Sequence, residues 1–270
     1  MNKQKANGIE WTMPYGRNGY TWNPISGCHH ACEWVMSDGQ VAQCYAKTVA
    51  EKVARKAYPH GFNHHYFNEK RLSEPLKVKQ PSGIFLDSMS DLMAWNVPSE
   101  QIEMVLDVCK EASQHIFFLL TKNPVRLKQF TFPKNVWVGA SSPPDIYMGK
   151  VLTDKQKEAM LTTALKSLDA VNANTYGQDE IVTWMSFEPL SNDYSRIVSR
   201  YPFALRWAVI GAASNGRTLY PPVNWHFTNM LDILDHQQVP VFFKGNMKSL
   251  PEAVQDWRVE YPSKEPAGIM

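Results

Sequence analysis

Three of the four cysteines in this 270-residue chain, Cys28, Cys32 and Cys44, fall in one short stretch, and soft thiolates gathered so closely point to metal binding or catalysis. Four cysteines are too few for a disulfide scaffold at this length. Cys28 and Cys32 stand in Gly27-Cys28-His29-His30-Ala31-Cys32, where one loop can aim both thiolates at a common point. Cys44 follows after eleven intervening residues. Within that interval, Glu33-Trp34-Val35-Met36 and Gln40-Val41-Ala42-Gln43 flank Ser37-Asp38-Gly39. A Gly-containing turn between two extended arms predicts a β-hairpin, which returns Cys44 to the side of Cys32.

Three thiolates can serve two kinds of metal site. With His29 or His30 as a fourth ligand they make a Cys3His zinc site, closed and structural. Without a fourth protein ligand they hold a four-iron cluster and leave one iron open to an exogenous group. The spacing alone allows both. Cys109 lies on an apolar stripe with Ile102, Val105 and Leu106 and reads as core. His60, His64 and His65 offer further imidazoles, but in a loop rich in Tyr and Phe they read as surface or packing residues.

The cysteines need a platform. Ile84–Ser88, His115–Thr121, Val136–Ser141, Ile181–Phe187, Arg206–Gly211 and Val239–Lys244 are nearly continuous in apolar character, as parallel strands covered on both faces must be. Helices are predicted between them, from Ile102, Val105, Leu106 and Cys109 and from Phe227, Met230, Leu231 and Leu234, both at i, i+3, i+4, i+7. Thr153 and Gln156 form a capping-box pattern that opens a third. Ala46, Val49, Ala50, Val53, Ala54 and Ala57 predict a helix straight after Cys44, and an extended segment around Tyr20–Ile25 leads into Cys28. Strand then helix, repeated, predicts an α/β fold with its parallel sheet closed or nearly closed into a barrel; a doubly wound open sheet is the alternative. The chain reads as a single domain over residues 1–270, with the cysteine hairpin at about 28–44, an irregular excursion at about 58–80 and a loosely packed tail after Trp257.

Parallel α/β sheets bind ligands at the carboxyl ends of their strands. Polar residues gather there in this sequence: Ser88, Ser90 and Asp91; Thr121 and Lys122; Ser141 and Ser142; Glu188; Ser214 and Asn215; Lys244. The charges Asp91, Lys122, Glu188 and Lys244 follow four apolar runs directly, either as chemical groups or as a rim of salt bridges. Glu188 as the general base of a metal-free hydrolase is a further reading, but it gives the cysteines no role.

The chain carries 28 Lys/Arg against 26 Asp/Glu, and the first eighty residues hold eleven basic against six acidic side chains, with five of the eight histidines. That bias around the cysteines suits an anionic substrate such as a nucleotide or nucleic acid, although a solvated basic surface accounts for it equally. No apolar run reaches the ~20 residues that span a bilayer. Met1–Glu10 lacks the apolar core of a signal peptide. A cytoplasmic protein with no membrane partner is expected.

Seven segments carry a family resemblance: Trp22-Asn23-Pro24-Ile25-Ser26-Gly27-Cys28, Cys44-Tyr45-Ala46, Ser88-Met89-Ser90-Asp91-Leu92, Leu120-Thr121-Lys122-Asn123-Pro124, Val136-Trp137-Val138-Gly139, Phe187-Glu188-Pro189-Leu190 and Phe242-Phe243-Lys244. Together, over about Ile9 to Lys244, they resemble the phage-associated three-cysteine proteins, a family of unknown function related to radical S-adenosylmethionine (SAM) enzymes. The resemblance implies a partial (β/α)6-type, radical-SAM-like barrel with helices outside. It implies a 4Fe–4S cluster on Cys28, Cys32 and Cys44, with SAM on the open iron and an external one-electron donor. It places Ser88, Ser90 and Asp91 against the SAM amino group, Tyr45 near the adenine and Ser141 among the cofactor contacts. Lys122, Glu188 and Lys244 would face the same mouth as catalytic groups. A nucleic acid or nucleotide is the expected substrate class.

Overall fold

Apolar runs with both faces covered become parallel strands here, and they line up in chain order. The computed structural model describes residues 1–5, 8–175, 181–215 and 218–263. Among them, one sheet contains β1 (Asn2–Lys3), β2 (Asn18–Trp22), β3 (Ser82–Leu86), β4 (Ile116–Thr121), β5 (Val136–Ser141), β6 (Thr183–Phe187), β7 (Trp207–Ile210) and β8 (Val241–Phe243). Each strand pairs with the next; β1 is antiparallel to β2 and every other pair is parallel. The sheet curls into a half-barrel without a pairing between β1 and β8. The doubly wound alternative fails on this order, because a doubly wound sheet reverses direction at a switch point.

The connections put helices on the outer face. After Cys44 comes α1 (Tyr45–Thr48), then α2 (Ser99–Glu111) between β3 and β4, α3 (Asp154–Thr175) before β6, the single turn α4 (Ser195–Val198), α5 (Asn224–His236) before β8, and α6 (Pro251–Gln255). The predicted stripe Ile102, Val105, Leu106 and Cys109 is the buried face of α2. The α3 capping box forms reciprocally: the Gln156 N–H donates to Thr153 Oγ1 at 3.3 Å and the Thr153 N–H to Gln156 Oε1 at 2.9 Å. Buried Asn135 donates its Nδ2 hydrogens to the carbonyls of Cys109, Ala112 and His115, which satisfies the end of α2 and the turn beyond it. The predicted helix over 46–57 is shorter than its pattern. Only Ala46 and Ala50 find a partner, Phe62, while Val53 is 81% exposed, and past Thr48 the chain loosens into π and 3-10 turns.

Alternation along the strands separates two cores. Ile84, Phe117, Val138, Met185, Ala208 and Phe243 face the helices. Phe118, Trp137, Trp184, Trp207 and Phe242 fill the concave side. Into that interior, from the amino-terminal segment, comes Trp11, edge-on to Phe85 and Phe118 at centroid distances of 4.8 and 5.4 Å. Gly19 and Gly83 let the Thr12 backbone approach the sheet, since a Cβ at Gly83 would overlap the Thr12 carbonyl oxygen. Of the tail expected to pack loosely, residues 258–263 instead close this end, and residues 264–270 lie outside the described residues. The Trp207 indole N–H donates to the Glu260 carbonyl at 2.8 Å, and Tyr261 stacks on the Trp207 ring. The tail thus supplies the acceptor for this indole N–H. Among the described residues, no helix is long and apolar enough to cross a membrane.

Candidate metal centre

The cysteine hairpin forms as its turn predicts. Glu33–Val35 pairs antiparallel with Val41–Gln43, Glu33 opposite Gln43, and the Cys44 N–H donates to the Cys32 carbonyl at 3.0 Å. Cys44 therefore stands one rung beyond the pair, beside Cys32. Gly27, at φ +90°, enters the loop so close to His64 that any Cβ would overlap its carbonyl oxygen. The Cys28 N–H donates to the Phe62 carbonyl at 2.8 Å, so the excursion braces the first cysteine. Cys28 and Cys44 pack around the same small cluster of Ala46, Ala50 and Phe62, and Cys32 is buried.

A second set of contacts ties this loop to the strand ends. His30 is buried and uses both ring nitrogens: Nε2 meets Asp91 Oδ2 at 2.8 Å and Nδ1 meets the Tyr147 hydroxyl at 2.8 Å. Asp91 Oδ2 also accepts from the Lys122 N–H at 2.7 Å, and Oδ1 from the Met93 N–H at 3.0 Å. Burial alone would raise the Asp91 carboxyl pKa, but the bond from His30 and the Lys122 N–H outweigh it and hold the pKa below its ordinary value. Tyr147 belongs to Ile146–Tyr147, which follows β5 and adds a strand to the hairpin, Ile146 opposite Glu33. The hairpin tip reaches across to the loop after β7, where the Tyr220 hydroxyl donates to Asp38 at 2.9 Å.

The thiols lie within each other's electrostatic reach. Burial pushes the Cys28 thiol far up, with Asp91, Cys32 and Cys44 adding to the shift. Burial also lifts Cys32 to about 12, partly offset by Lys122. The Lys122 ammonium, just past the end of β4, lies 5.7 Å from the Trp34 ring centroid on the hairpin. Without a cation the Cys28 and Cys32 thiols stay protonated; a bound metal inverts that preference by stabilising thiolates. Among the described residues, no three His, Cys, Asp or Glu side chains already converge as a metal cage.

The other predicted residues separate into three places. Tyr45 and Ser88 line a cavity of about 890 Å³ beside the cysteine loop. Lys122 and Ser141 line a smaller one of about 300 Å³ between the ends of β4 and β5 and helix α3. Glu188 and Lys244 pair with each other at 3.3 Å, and Ser186 donates to the Glu188 carboxylate at 3.1 Å. Ser90 keeps a buried hydroxyl with no hydrogen-bond partner, and Asp91 is spent on His30 and backbone amides. The histidine loop packs: His60 and His64 gather around Tyr66, and His65 bonds Gln101 at 2.7 Å.

Comparison with known proteins adds one match. A family model described as "Protein of unknown function (DUF5131)" covers residues 6–258. The chain belongs to the DUF5131 family. No curated protein and no solved structure matches it.

Four residues of the site have structural roles that the sequence reading does not give them; it has His30 only as a candidate zinc ligand. Asn23 accepts from the Ser88 hydroxyl and the Met89 N–H, and so joins the ends of β2 and β3. Its only signal is its place in Trp22-Asn23-Pro24. His30 and Tyr147 are ties, and the partnership of residues 117 positions apart leaves no local pattern. Asp87 is the fourth. It sits at φ +51°, fully buried; Oδ1 accepts from the Ile25 N–H at 3.1 Å while Oδ2 has no partner. Burial, then Asp91, keeps its pKa well above the usual carboxylate range. The folded state thus holds a proton that the unfolded chain releases, so this residue's contribution is full in acid and is lost as pH rises towards the folded pKa. Asp87→Asn keeps an acceptor for Ile25 and tolerates the left-handed backbone. Denaturant melts should show it at least as stable as wild type at pH 8, with a flatter dependence on pH. A variant clearly less stable at pH 8 would show that the carboxylate is needed.

Proposed function

We propose that this DUF5131 protein is an iron–sulfur enzyme of radical SAM type on a partial (β/α)6-type barrel. The observation that carries the reading is the rung that sets Cys44 beside Cys32, with Cys28 in the same cluster, over the carboxyl ends of parallel strands. Three soft donors and no engaged imidazole fit an iron–sulfur group. Such a cluster, when bound, supplies the electron that cleaves SAM to methionine and a 5′-deoxyadenosyl radical.

The chain's own residues would hold and shield that chemistry. His30, Asp91 and Tyr147 fix the loop that presents Cys28 and Cys32. Lys122 places positive charge beside Cys32, which favours thiolate. The Glu188–Lys244 pair and Ser141 offer a carboxylate, an ammonium and a hydroxyl at the mouth for the zwitterionic end of SAM or for substrate. Electrons come from an external one-electron donor. The test is anaerobic reconstitution with iron and sulfide, followed by incubation with SAM and dithionite. Absorbance near 400 nm and release of 5′-deoxyadenosine are expected; stoichiometric zinc without iron would sink the reading.

One observation favours the second reading, a Cys3His zinc protein that binds partners. The buried His29 Nδ1 has no hydrogen-bond partner. His30, with both nitrogens occupied, is the weaker fourth ligand of the two.

A further inference from the structure

The cavity of about 890 Å³ shares walls with the cysteine cluster, because Tyr58 and Met89 border both. Its lining has three chemistries. Aromatic faces come from Tyr45, Tyr58 and Tyr66; Tyr58 and Tyr66 meet edge to face at 5.4 Å, and Tyr45 is left 62% exposed. Amides come from Asn68 and from Asn23, whose Oδ1 accepts from Ser88 and Met89. Cations come from Lys70 and from Arg71, the latter steadied by Glu74, and one acid, Glu69, stands between them and Asn68 in the chain.

An exposed aromatic platform with amide groups and a cationic edge matches a nucleotide: ring on ring, base edge on amide, phosphate on ammonium. We infer that this cavity binds one nucleotide unit, a nucleobase with its phosphate, free or within a single strand, and holds it beside the cysteine centre. Its role as substrate rests on the proposed radical chemistry; its binding does not. The family resemblance assigns Tyr45 and Ser88 to SAM. SAM carries a sulfonium and no phosphate, so the Lys70 and Arg71 edge favours the phosphate-bearing ligand.

The test uses the full chain without iron and a short fluorescein-labelled single-stranded oligonucleotide, read by anisotropy, with AMP, CMP and SAM as competitors. Wild type is expected to bind the strand and to release it to nucleoside monophosphates more readily than to SAM. Monophosphates that displace the strand at comparable concentration identify a free nucleotide as the natural ligand; a strand bound far more tightly identifies a nucleic acid. Tyr45→Ala should weaken binding about tenfold. Lys70→Glu should weaken it most at low salt and flatten its salt dependence. Both variants should match wild type by circular dichroism. Absence of binding to wild type overturns the inference, as does binding indifferent to both variants or displacement by SAM alone. Nucleotide binding by a protein that never retains iron sinks only the enzymatic reading; SAM cleavage without nucleotide binding sinks only this one.

Discussion

Cys44→Ala, like Cys28→Ala and Cys32→Ala, is expected to abolish retention of iron and sulfide after anaerobic reconstitution, while Cys109→Ala retains the wild-type amount. The asymmetry follows from position. Cys44 is held beside Cys32 by a backbone bond of 3.0 Å, and removing any one donor leaves two, too few to retain a cluster against exchange. Cys109 lies fully buried on the inner face of α2, among Ile102, Val105 and Leu106. Its loss should cost only the packing of a small apolar side chain. Iron and sulfide analysis of the four proteins gives the answer directly. Retention by Cys44→Ala, or loss in Cys109→Ala, would show that the centre has been misplaced.

Asp91→Ala is expected to lower stability by about 3–5 kcal/mol, the usual cost of stripping one partner from a buried charged network. For a chain of this size that is a fall of about 10 °C in thermal midpoint. The variant leaves three buried groups without their acceptor: the His30 ring and the N–H groups of Lys122 and Met93. The pH response separates this mechanism from simple loss of packing. Because the Asp91 pKa is held low, its contribution is present above the unfolded carboxylate range and is lost as pH falls through the folded pKa. The gap between variant and wild type, followed by calorimetry, should therefore close on acidification. A gap independent of pH would mean that the carboxylate's charge plays no part.

Sequence pattern and structure agree where the physics is local. Val136–Ser141 has the predicted bounds, because an apolar run ending in serine marks where a buried strand reaches solvent. The turn at Ser37-Asp38-Gly39 forms, since Gly39 adopts the positive φ of +80° that its place requires. Long-range pairing was much harder to see. Nothing in the order of residues announces that Asp91 meets His30, or that Tyr147 is carried to the cysteine loop by a two-residue strand. The helix over 46–57 was over-read for the same reason: its alanine spacing is right, but the surface it could have packed against ends near Phe62. The described part of the tail packs more closely than its composition suggests, because only the folded sheet brings the Trp207 indole to the Glu260 carbonyl.

The placement of Trp11 sets an order of events on the way to the folded state. Its ring rests on Phe85, Phe118, Trp184 and Trp207, and neighbouring Glu10 accepts from the Gly245 N–H at 2.6 Å. Trp11 is thus made before the residues it rests on and is seated only after they appear. During synthesis it stays without its permanent neighbours until Trp207 and Gly245 have left the ribosome, and the newborn chain must be kept from aggregating through it for that long.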